Sequence, residues 1–577
     1  MNHISKYAVS AVVCLVAVLA LSVGISVNGY ASWLDKQTLV TIAAHPTDTI
    51  YSNDIQPSNL FSSRFYLVYT IMSAYAPDPQ GVRTQAFFIT SSDSGATWSS
   101  PTLIYDHVTN GLGYIQCMRK RGFDGKYSPG GSEATISLSN TVGNNTTEYV
   151  HVLIGVSSQG PNCNFFGSLD QQELTGAVYV RITNNNGAFS YSAPTAIATP
   201  IMPTGVTFRG YCFFQCGGAR LARQSNESPT AMIVSPWDGT LSNGVPKTGF
   251  FFLYSQDNGA TWSTPTLIKD GSGSTQWQEA AEITAAIASD NNVCMVAAGL
   301  TAGNTDNGFD LLALGGTFTD ITGNMSVFQA TSPTANYQYD EPMLVNGRNS
   351  GQWIVAYTKI SNDISTPVLV NEAAYFKRNS GTICTSGWGA QVTLDSTTNT
   401  AGVFNRTSTE QPLNTSNIYF NWDKQPSVSQ SGPVDARYRR LDGFGVLGTV
   451  QILNNDSLYF GTDSGHSIAG NGSIVINSYT QLDLAGVNMA VVIRRSNSGG
   501  SGTVTPQMAR LIAIVDQIFQ KSVKSVSIYD LHGKAIALDQ TSEAMAKLQD
   551  RLANGVYLAV KKDMEGKTSV VKIVIKR

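Results

Sequence analysis

Short apolar stretches separated by polar turns recur along the first five hundred residues of this chain. Seven of them can be recognised, at a typical spacing of about sixty residues: RFYLVYT, YVHVLIGV, TAMIVSP, NVCMVAAG, QWIVAYT, NIYFNW and SIVINSY. They are short, rich in β-branched and aromatic residues, and bounded by Ser, Asn, Gly and Pro. That pattern predicts many short β-strands joined by tight turns rather than helices.

A second feature follows several of these stretches, namely a hairpin with a fixed pattern of residues. Phe87–Asp106 and Phe251–Asp270 each contain a strand, a polar turn, a Trp and a second short strand. The matching positions are Ser91, Asp93, Gly95, Thr97 and Trp98 in the first copy and Ser255, Asp257, Gly259, Thr261 and Trp262 in the second. Weaker copies are found at Thr183–Phe189, through Asn185 and Gly187, and at Glu372–Leu394.

Units of four short strands, repeated across a whole domain, are typical of a β-propeller. One four-stranded sheet cannot bury both of its faces, whereas sheets packed around an axis can. We therefore predict an all-β fold with a propeller of seven blades. Six blades is the second choice because 397–495 is hard to divide, and a pair of β-sandwiches is the alternative architecture. The segment Thr38–Ala44 is predicted to complete the last blade and close the ring.

The repeated hairpin is predicted to be structural. Its Asp can accept hydrogen bonds from backbone N–H groups and from the Ser and Thr hydroxyls of the turn. Gly95 and Gly259 suit backbone angles that are closed to other residues, and Trp98 and Trp262 can cover the hairpin.

The N-terminus and the composition predict export. Lys6 precedes a nearly continuous apolar run from Tyr7 to Val27, and Gly29 and Ala31 suit a cleavage site, so residues 1–31 are predicted to be a signal peptide. A retained anchor is the alternative. Only 13% of the residues are charged and the net charge is −3, so nothing favours a nucleic-acid partner.

Cysteine usage is compatible with an oxidising compartment. Six cysteines remain after the predicted signal peptide, and an even number permits disulfides without revealing their connectivity. Cys212 and Cys216 are close enough in sequence to close a small loop, and their spacing does not suggest zinc. For Cys294, inside an apolar run, a buried free thiol is the alternative.

The composition changes near residues 496–506, where SNSGGSGTVTP is predicted to be a linker. Beyond it, 507–577 carries more Lys and Arg than Asp and Glu, with alternating strands and turn signals at Gly533, Gly555 and Gly566, which predicts a small β-sandwich. Its patterns VSIYDLHGK and LANGVY, with the basic C-terminus, resemble the C-terminal sorting domain of the type IX secretion system. That resemblance implies export across an outer membrane, whereas a fibronectin-like accessory domain is the alternative.

The hairpin pattern S-x-D-x-G-x-T-W resembles the Asp-box, or BNR repeat, of sialidases and related propeller glycosidases. The resemblance covers most of 32–495 and implies a propeller whose hairpins lie far from the active site. It also implies three Arg that clamp a sugar carboxylate, a Tyr nucleophile paired with a Glu, and an Asp acid/base. The Arg-Ile-Pro signature of that family is absent, and the nearest Arg ahead of the first hairpin is Arg64.

Charged residues near the predicted starts of innermost strands are the candidates for a site on the propeller axis. Four are candidate catalytic residues: Glu133, Glu282, Glu341 and Tyr438. Three are candidate substrate-binding residues: Arg220, Arg406 and Arg437. A solvated ring of ion pairs is the alternative for the axial residues. Strand alternation sends Arg437 and Arg439 to one face and Tyr438 to the other, so these three are not expected to share one pocket.

Two functions follow from this pattern. The first is a secreted or surface-attached sialidase-like glycoside hydrolase that acts on extracellular glycans. The second is a non-catalytic propeller that binds carbohydrate or protein at the cell surface. In either case no cofactor or metal is expected, the partners are an extracellular glycan or glycoprotein and the secretion machinery, and no membrane span is expected after signal removal.

Overall fold

A computed structural model provides the fold. The described residues are 36–43, 49–115, 118–121, 127–130, 134–158, 176–211, 218–224, 228–270, 272–288, 292–300, 310–317, 325–329, 337–347, 352–361, 373–379, 381, 384–396, 403–411, 416–425, 435–453, 467–471, 474–482, 488–496, 523–530, 535–540, 555–563 and 568–575. The chain divides into two compact units, of which one is Trp33–Gly499 and the other includes Gly500–Arg577.

In the described part of the larger unit there are seven blade sheets and one separate two-stranded sheet, and the first strand is β1 (Gln37–Ala43). Blade 1 contains β2 (Thr49–Pro57), β3 (Phe65–Ala74), β4 (Val82–Ser91) and β5 (Thr102–Asp106). A short helix, α1 (His107–Asn110), and β6 (Tyr114–Ile115), β7 (Met118–Arg121) and β8 (Tyr127–Gly130) follow. Blade 2 contains β9 (Ala134–Ser139), β10 (Thr147–Ser157), β11 (Gly176–Asn185), β12 (Ala188–Tyr191) and β13 (Thr195–Ala196).

Blade 3 contains β14 (Val206–Gly210), β15 (Arg220–Leu221), β17 (Ala231–Leu241), β18 (Pro246–Ser255) and β19 (Thr266–Ile268), with β16 (Arg223–Gln224) between β15 and β17 in the chain. Blade 4 contains β20 (Glu279–Ile287), β21 (Asn292–Leu300), β22 (Asp310–Thr317) and β23 (Met325–Gln329). Blade 5 contains β24 (Tyr337–Asn346), β25 (Trp353–Ser361), β26 (Ala373–Asn379) and β27 (Val392–Ser396). Blade 6 contains β28 (Val403–Glu410), β29 (Ile418–Gln425), β30 (Asp435–Leu441) and β31 (Gln451–Ile452).

The last blade closes the ring with the beginning of the chain. Blade 7 contains β32 (Ser467–Asn471), β33 (Ile474–Leu482) and β34 (Asn488–Arg495), and β1 is its fourth strand. The β1 strand pairs antiparallel with β34, from Gln37 opposite Ile493 to Ala43 opposite Asn488. The prediction of seven blades is therefore confirmed, as is the ring closure by the N-terminal strand, and the alternative pair of sandwiches is wrong.

The core lies between the blades, because each sheet buries one face against the preceding blade and the other against the next. Between blades 1 and 2, for example, Tyr66 and Phe88 belong to the same buried cluster as Val152 and Val180. Between blades 7 and 1, Leu67 packs in one cluster with residues of β33, β34 and β1. Strand alternation thus divides the apolar side chains of each blade between two interfaces.

The two faces of the propeller have different roles. Within an antiparallel blade, the turns between the first and second strands and between the third and fourth strands lie on one face, here called the hairpin face. The chain enters each innermost strand from the opposite face, here called the entry face. Since the repeated hairpins of blades 1 and 3 join a third strand to a fourth, Asp93 and Asp257 lie on the hairpin face.

A disulfide joins two neighbouring blades. Cys294 in β21 of blade 4 is bonded to Cys384, which lies between the third and fourth strands of blade 5. A free thiol at Cys294 is therefore wrong, because the blade 5 turn brings Cys384 against it. The predicted loop closed by Cys212 and Cys216 lies outside the described residues.

The smaller unit contains β35 (Val523–Asp530), β36 (Ala535–Gln540), β37 (Gly555–Asp563) and β38 (Thr568–Ile575). These strands form one antiparallel sheet in the order β36, β35, β37, β38. Throughout the described part of the chain, no helix has the length and apolar character of a membrane span.

Ring closure by β1 leads to a first prediction. Ile42 packs against the core between blades 7 and 1, whereas its neighbour Thr41 is exposed. We expect Ile42→Asn to lower the free energy of unfolding by about 1–2 kcal/mol, because a partly buried apolar side chain is lost from the closing strand. Thr41→Asn is the matched control and should change it by less than about 0.5 kcal/mol. Urea unfolding of the two variants measures the difference, and equal destabilisation would contradict this closure.

Candidate functional site

The two intact hairpins have nearly the same hydrogen bonds. In the first, Ser91 Oγ and Thr97 N donate to Asp93 Oδ1 at 2.8 Å each, and Thr97 Oγ1 donates to Oδ2 at 2.6 Å. In the second, the corresponding donors to Asp257 are Ser255 Oγ at 2.7 Å, Thr261 N at 2.9 Å and Thr261 Oγ1 at 2.6 Å. Burial alone would raise the pKa of each Asp, but these donors outweigh it and lower the pKa.

The weaker copy in blade 2 adopts the same backbone turn. Ser94, Asn186 and Asn258 all have positive φ, at 61°, 49° and 55°, and the glycine after each also has positive φ. Each of the three residues donates its backbone N–H to the preceding turn of its own blade, at 2.7 to 2.8 Å. The turn is therefore set by the Asn/Ser-Gly pair, and an Asp is not required for it.

The glycines of these turns also dock each blade on the one before it. A Cβ at Gly95 would overlap the side chain of Ile476 in blade 7, and one at Gly259 would overlap the hydroxyl of Tyr179 in blade 2. A Cβ at Gly187 would lie 3.4 Å from Arg64 of blade 1. The hairpin residues named from the sequence therefore act in blade packing, and nothing in their geometry performs chemistry.

A buried histidine lies under the blade 3 hairpin. His151 is fully buried, with Nε2 2.7 Å from Ser139 Oγ and Nδ1 2.7 Å from the hydroxyl of Tyr179. Ser139 Oγ donates in turn to Asn258 Oδ1 at 2.8 Å. Burial, helped by the nearby charge of Arg181, lowers the pKa of His151 to about 3, so the imidazole is neutral at physiological pH. Both ring nitrogens are occupied, which makes this a link between blades 2 and 3.

The axis of the propeller is the place where candidate chemistry remains. The innermost strand of blade 3 is split, because β14 and β15 both pair with β17 and the chain leaves the strand between them. The chain then continues into β16, which pairs in parallel with the end of β20 in blade 4. Blade 3 therefore contributes to the axis through a strand that passes from one blade to the next.

Arg220 and Glu282 meet where these two blades approach each other. Arg220 Nη2 lies 3.6 Å from Glu282 Oε2, and the side chains are 14% and 4% exposed. The distance exceeds that of a hydrogen bond, and Glu282 Oε2 has no hydrogen-bond donor among the described residues. The structure thus brings two of the sequence candidates together, as a loosely paired buried carboxylate and guanidinium.

Breaks in the strand ladders occur next to the axial candidates. The innermost strands of blades 4, 5 and 6 each have a register shift, at Ala280/Glu282, Asp340/Met343 and Asn405/Thr407. Glu341 and Arg406 are themselves among the residues that the ladder skips, and Glu282 directly follows the skipped residue in β20. A bulge re-aims side chains and is common beside active sites. The side chains of Glu341 and Arg406 lie outside the described part of the structure, as does Glu133.

Tyr438 and Arg437 are placed away from the axis. They lie on β30, the third strand of blade 6. Tyr438 is 1% exposed and stacks on Tyr419, and burial, followed by the effect of Tyr419, raises its pKa well above the ordinary value. Arg437 donates to Asp395 at 2.6 Å and to Asp435 at 2.8 Å. As strand alternation predicts, the two side chains take opposite faces: Tyr438 packs in an apolar cluster, and Arg437 joins blade 6 to Asp395 of blade 5.

A Tyr–Glu hydrogen bond does exist, but on the hairpin face. The hydroxyl of Tyr66 donates to Glu148 Oε2 at 2.6 Å, and Ser58 Oγ donates to the same oxygen at 2.7 Å. Both Tyr66 and Glu148 lie near the start of a second strand. They are therefore distant from the bulges near the entry face, and they fasten blade 1 to blade 2.

Sequence reasoning missed a second ion pair on the axis. Arg223 Nη2 in β16 donates to Asp54 Oδ1 in β2 at 2.9 Å, and Asp54 Oδ2 accepts from the backbone N–H of Ile136 at 2.8 Å. The partners are 169 positions apart and in different blades. The only available signal was that both charges occur inside strands that are otherwise buried.

Comparisons with known proteins found no family for this chain and only remote likenesses among solved structures. No family model matches this chain, and no curated protein matches it. Among solved structures, the NanB sialidase of Streptococcus pneumoniae is 11% identical, with a TM-score of 0.34 over 80% of this chain and 70% of that one. An intramolecular trans-sialidase from Ruminococcus gnavus is 11% identical, with a TM-score of 0.35 over 79% and 96%. A polysaccharide lyase described as an ulvan lyase is 12% identical, with a TM-score of 0.35 over 84% and 98%.

Docking of the blade 3 hairpin leads to a second prediction. Gly259 and Gly81 have similar φ angles, 72° and 70°, but an added Cβ would overlap Tyr179 only at Gly259 and would meet nothing at Gly81. We expect Gly81→Ala to cost about 1 kcal/mol of unfolding free energy, from backbone strain. Gly259→Ala should cost a further 1–3 kcal/mol or so from overpacking. Thermal and urea unfolding would measure both, and equal losses would show that the hairpin does not depend on this contact.

His151 leads to a third prediction. Its folded-state pKa is about 3, below the unfolded value of about 6.5, so the unfolded state binds more protons between these values. Its contribution to stability is therefore complete above pH 6.5 and is lost as the pH falls toward 3, at up to about 1.4 kcal/mol per pH unit.

Unfolding free energies at pH 7 and pH 5 test this prediction. The loss between them should be smaller in His151→Gln than in the parent protein, since the variant has no imidazole to protonate. The same loss in both proteins would contradict the assignment of a neutral buried His151.

Proposed function

We propose that this protein is an exported, sialidase-like glycoside hydrolase that acts on extracellular glycans at the entry face of its propeller axis. The observation that carries the proposal is the Arg220–Glu282 pair. A buried carboxylate held 3.6 Å from its guanidinium, with no donor on Oε2 in the described structure, has capacity left for a ligand. A sugar hydroxyl group can donate a hydrogen bond to that oxygen.

The chemistry assigned to Glu282 is proton exchange with the glycosidic oxygen. A general acid or base must lie within hydrogen-bond reach of the reacting atom, and the loose pairing with Arg220 leaves Glu282 Oε2 available for that contact. Glycoside hydrolysis usually needs a second carboxylate. Glu341 is the candidate for the second carboxylate. The backbone N–H of Leu344 in β24 donates to Thr284 Oγ1 in β20, so the two innermost strands are aligned and Glu341 lies at about the same level along the axis as Glu282. Arg406, at the bulge of the next blade, is the candidate for substrate binding.

A non-catalytic carbohydrate-binding propeller is the second candidate, and one observation favours it. Tyr438 and Arg437, the Tyr and Arg most similar to a sialidase nucleophile and clamp, are both used in the packing of blade 6. A binding protein needs the axial residues to contact sugar but does not need them to transfer a proton.

Export is part of the proposal and has two supports. The disulfide between Cys294 and Cys384 joins two blades, and such bonds persist in oxidising compartments. The apolar segment Tyr7–Val27 has the composition of a signal peptide. The C-terminal unit is proposed to engage the secretion machinery, through the strands and turns that resemble a type IX sorting domain.

The fourth prediction tests this function with the exported form of the protein. We expect it to hydrolyse at least one member of a panel of fluorogenic glycosides that includes a sialic acid glycoside. Glu282→Gln should lower kcat about 100-fold or more, because it removes the proton-exchanging group. Arg406→Ala should abolish turnover if that residue binds the substrate.

Arg181→Gln, on the third strand of blade 2, is the control and should retain full activity. Glycan binding without turnover of any panel member would favour the non-catalytic candidate. If the folded protein shows neither turnover nor binding to a glycan array, both candidate functions are wrong.

A further inference from the structure

The strand β16 occupies an unusual place in the propeller. It leaves blade 3, pairs in parallel with Ala286 and Ile287 at the end of β20, and also lies against β9 of blade 2 and β24 of blade 5. Contact with the innermost strands of three other blades places β16 at the axis. Because Ala286 and Ile287 end an innermost strand, β16 lies toward the hairpin-face side.

Arg223 of β16 reaches Asp54 in blade 1 and fastens the strand there. Both side chains are 9% exposed, so the pair is buried without being completely sealed. Along the strand, Arg220 comes first and Arg223 three residues later, which places the Arg223–Asp54 pair deeper than the Arg220–Glu282 pair. The two ion pairs thus form successive levels of one polar lining.

From this arrangement we propose that Arg223, Asp54 and Gln56 form the floor of an axial pocket that binds the hydroxyl groups of an uncharged sugar. The inference rests on the proposed function and deepens it by naming the substrate class. It also departs from the acidic sugar that the sialidase resemblance implies.

Unused hydrogen-bonding groups are the first argument. Arg223 Nη1 is buried and has no partner among the described residues, and the same is true of Gln56 Nε2, two residues from Asp54 on β2. The two residues are 7% and 3% exposed. Buried polar groups are almost always hydrogen-bonded, so these donors require solvent or a ligand. The oxygen of a sugar hydroxyl group can accept a hydrogen bond from either donor.

Charge balance is the second argument. Among the described side chains of this lining each guanidinium is matched by a carboxylate, Arg220 by Glu282 and Arg223 by Asp54. A bound carboxylate would contact the remaining donors of Arg223 while lying beside Asp54, and like charges in a buried site repel strongly. A neutral sugar meets the same donors without that repulsion.

Binding measurements on the full propeller test this proposal, using methyl glycosides of neutral hexoses and pentoses beside N-acetylneuraminic acid and its methyl glycoside. Isothermal titration should show a neutral glycoside binding at least tenfold more tightly than either acidic ligand. Its affinity should be nearly independent of salt between 50 and 500 mM, since screening acts on charged ligands.

Two variants locate the ligand on the floor. Gln56→Met keeps the Arg223–Asp54 pair and roughly the side-chain volume but removes the amide group of residue 56, and we expect at least a fivefold loss of affinity. Arg223→Gln should lose tenfold or more, and circular dichroism with urea unfolding shows whether it is folded. If Arg223→Gln is not folded, the affinity of Gln56→Met alone decides whether the ligand contacts the floor. Arg181→Gln is the matched control and should bind as the parent protein does.

The outcomes separate this inference from the proposed function. Tighter binding of the acidic ligands, or neutral binding unchanged in Gln56→Met and in folded Arg223→Gln, would overturn the floor while leaving a carbohydrate-active propeller. Binding of no ligand, combined with no turnover and no glycan-array signal, would overturn the proposed function and the floor together.

Discussion

Every blade of this propeller has two apolar faces, and that constraint governs the rest of the structure. A four-stranded sheet in isolation would leave one face in water, so each blade depends on a neighbour on both sides. Only a closed ring gives all seven blades two neighbours. The pairing of β1 with β34 provides that closure, and the inter-blade clusters follow from it. A defect in β1 therefore affects blade 1 and blade 7 together.

Contacts that hold the blades in sequence are concentrated on the hairpin face. The glycine turns of blades 1, 2 and 3 dock on the preceding blade, and the polar links of Glu148 and His151 reinforce two of these interfaces. These links lie away from the register shifts of the innermost strands in blades 4, 5 and 6. The bulges of β20, β24 and β28 can therefore interrupt the strand ladders near the axis while the interfaces between blades remain fastened elsewhere.

How much of this was predictable differs between the two faces. The hairpins could be predicted, because their hydrogen bonds are local and are specified by Ser, Asp, Gly and Thr at fixed spacing. The separation of Tyr438 from Arg437 followed from strand alternation. The pairing of Cys294 with Cys384 and of Arg223 with Asp54 was not predictable, because partners 90 and 169 positions apart meet only when separate blades pack together. Glu282 and Arg220 were identified as axial, but sequence alone could not show that they pair.

The split innermost strand of blade 3 links stability to the candidate chemistry. Continuous pairing with β17 would hold the whole segment in its own blade, but β16 instead joins β20 and places Arg223 at the axis. Burying a guanidinium there is costly, and a single carboxylate compensates for only part of its hydrogen-bonding capacity. Such incomplete compensation is a common property of ligand sites, where a protein group is satisfied fully only when the ligand is bound. Arg223 Nη1 and Glu282 Oε2 share this property at two levels of one lining, and for that reason the axis rather than the hairpin face is where function is expected.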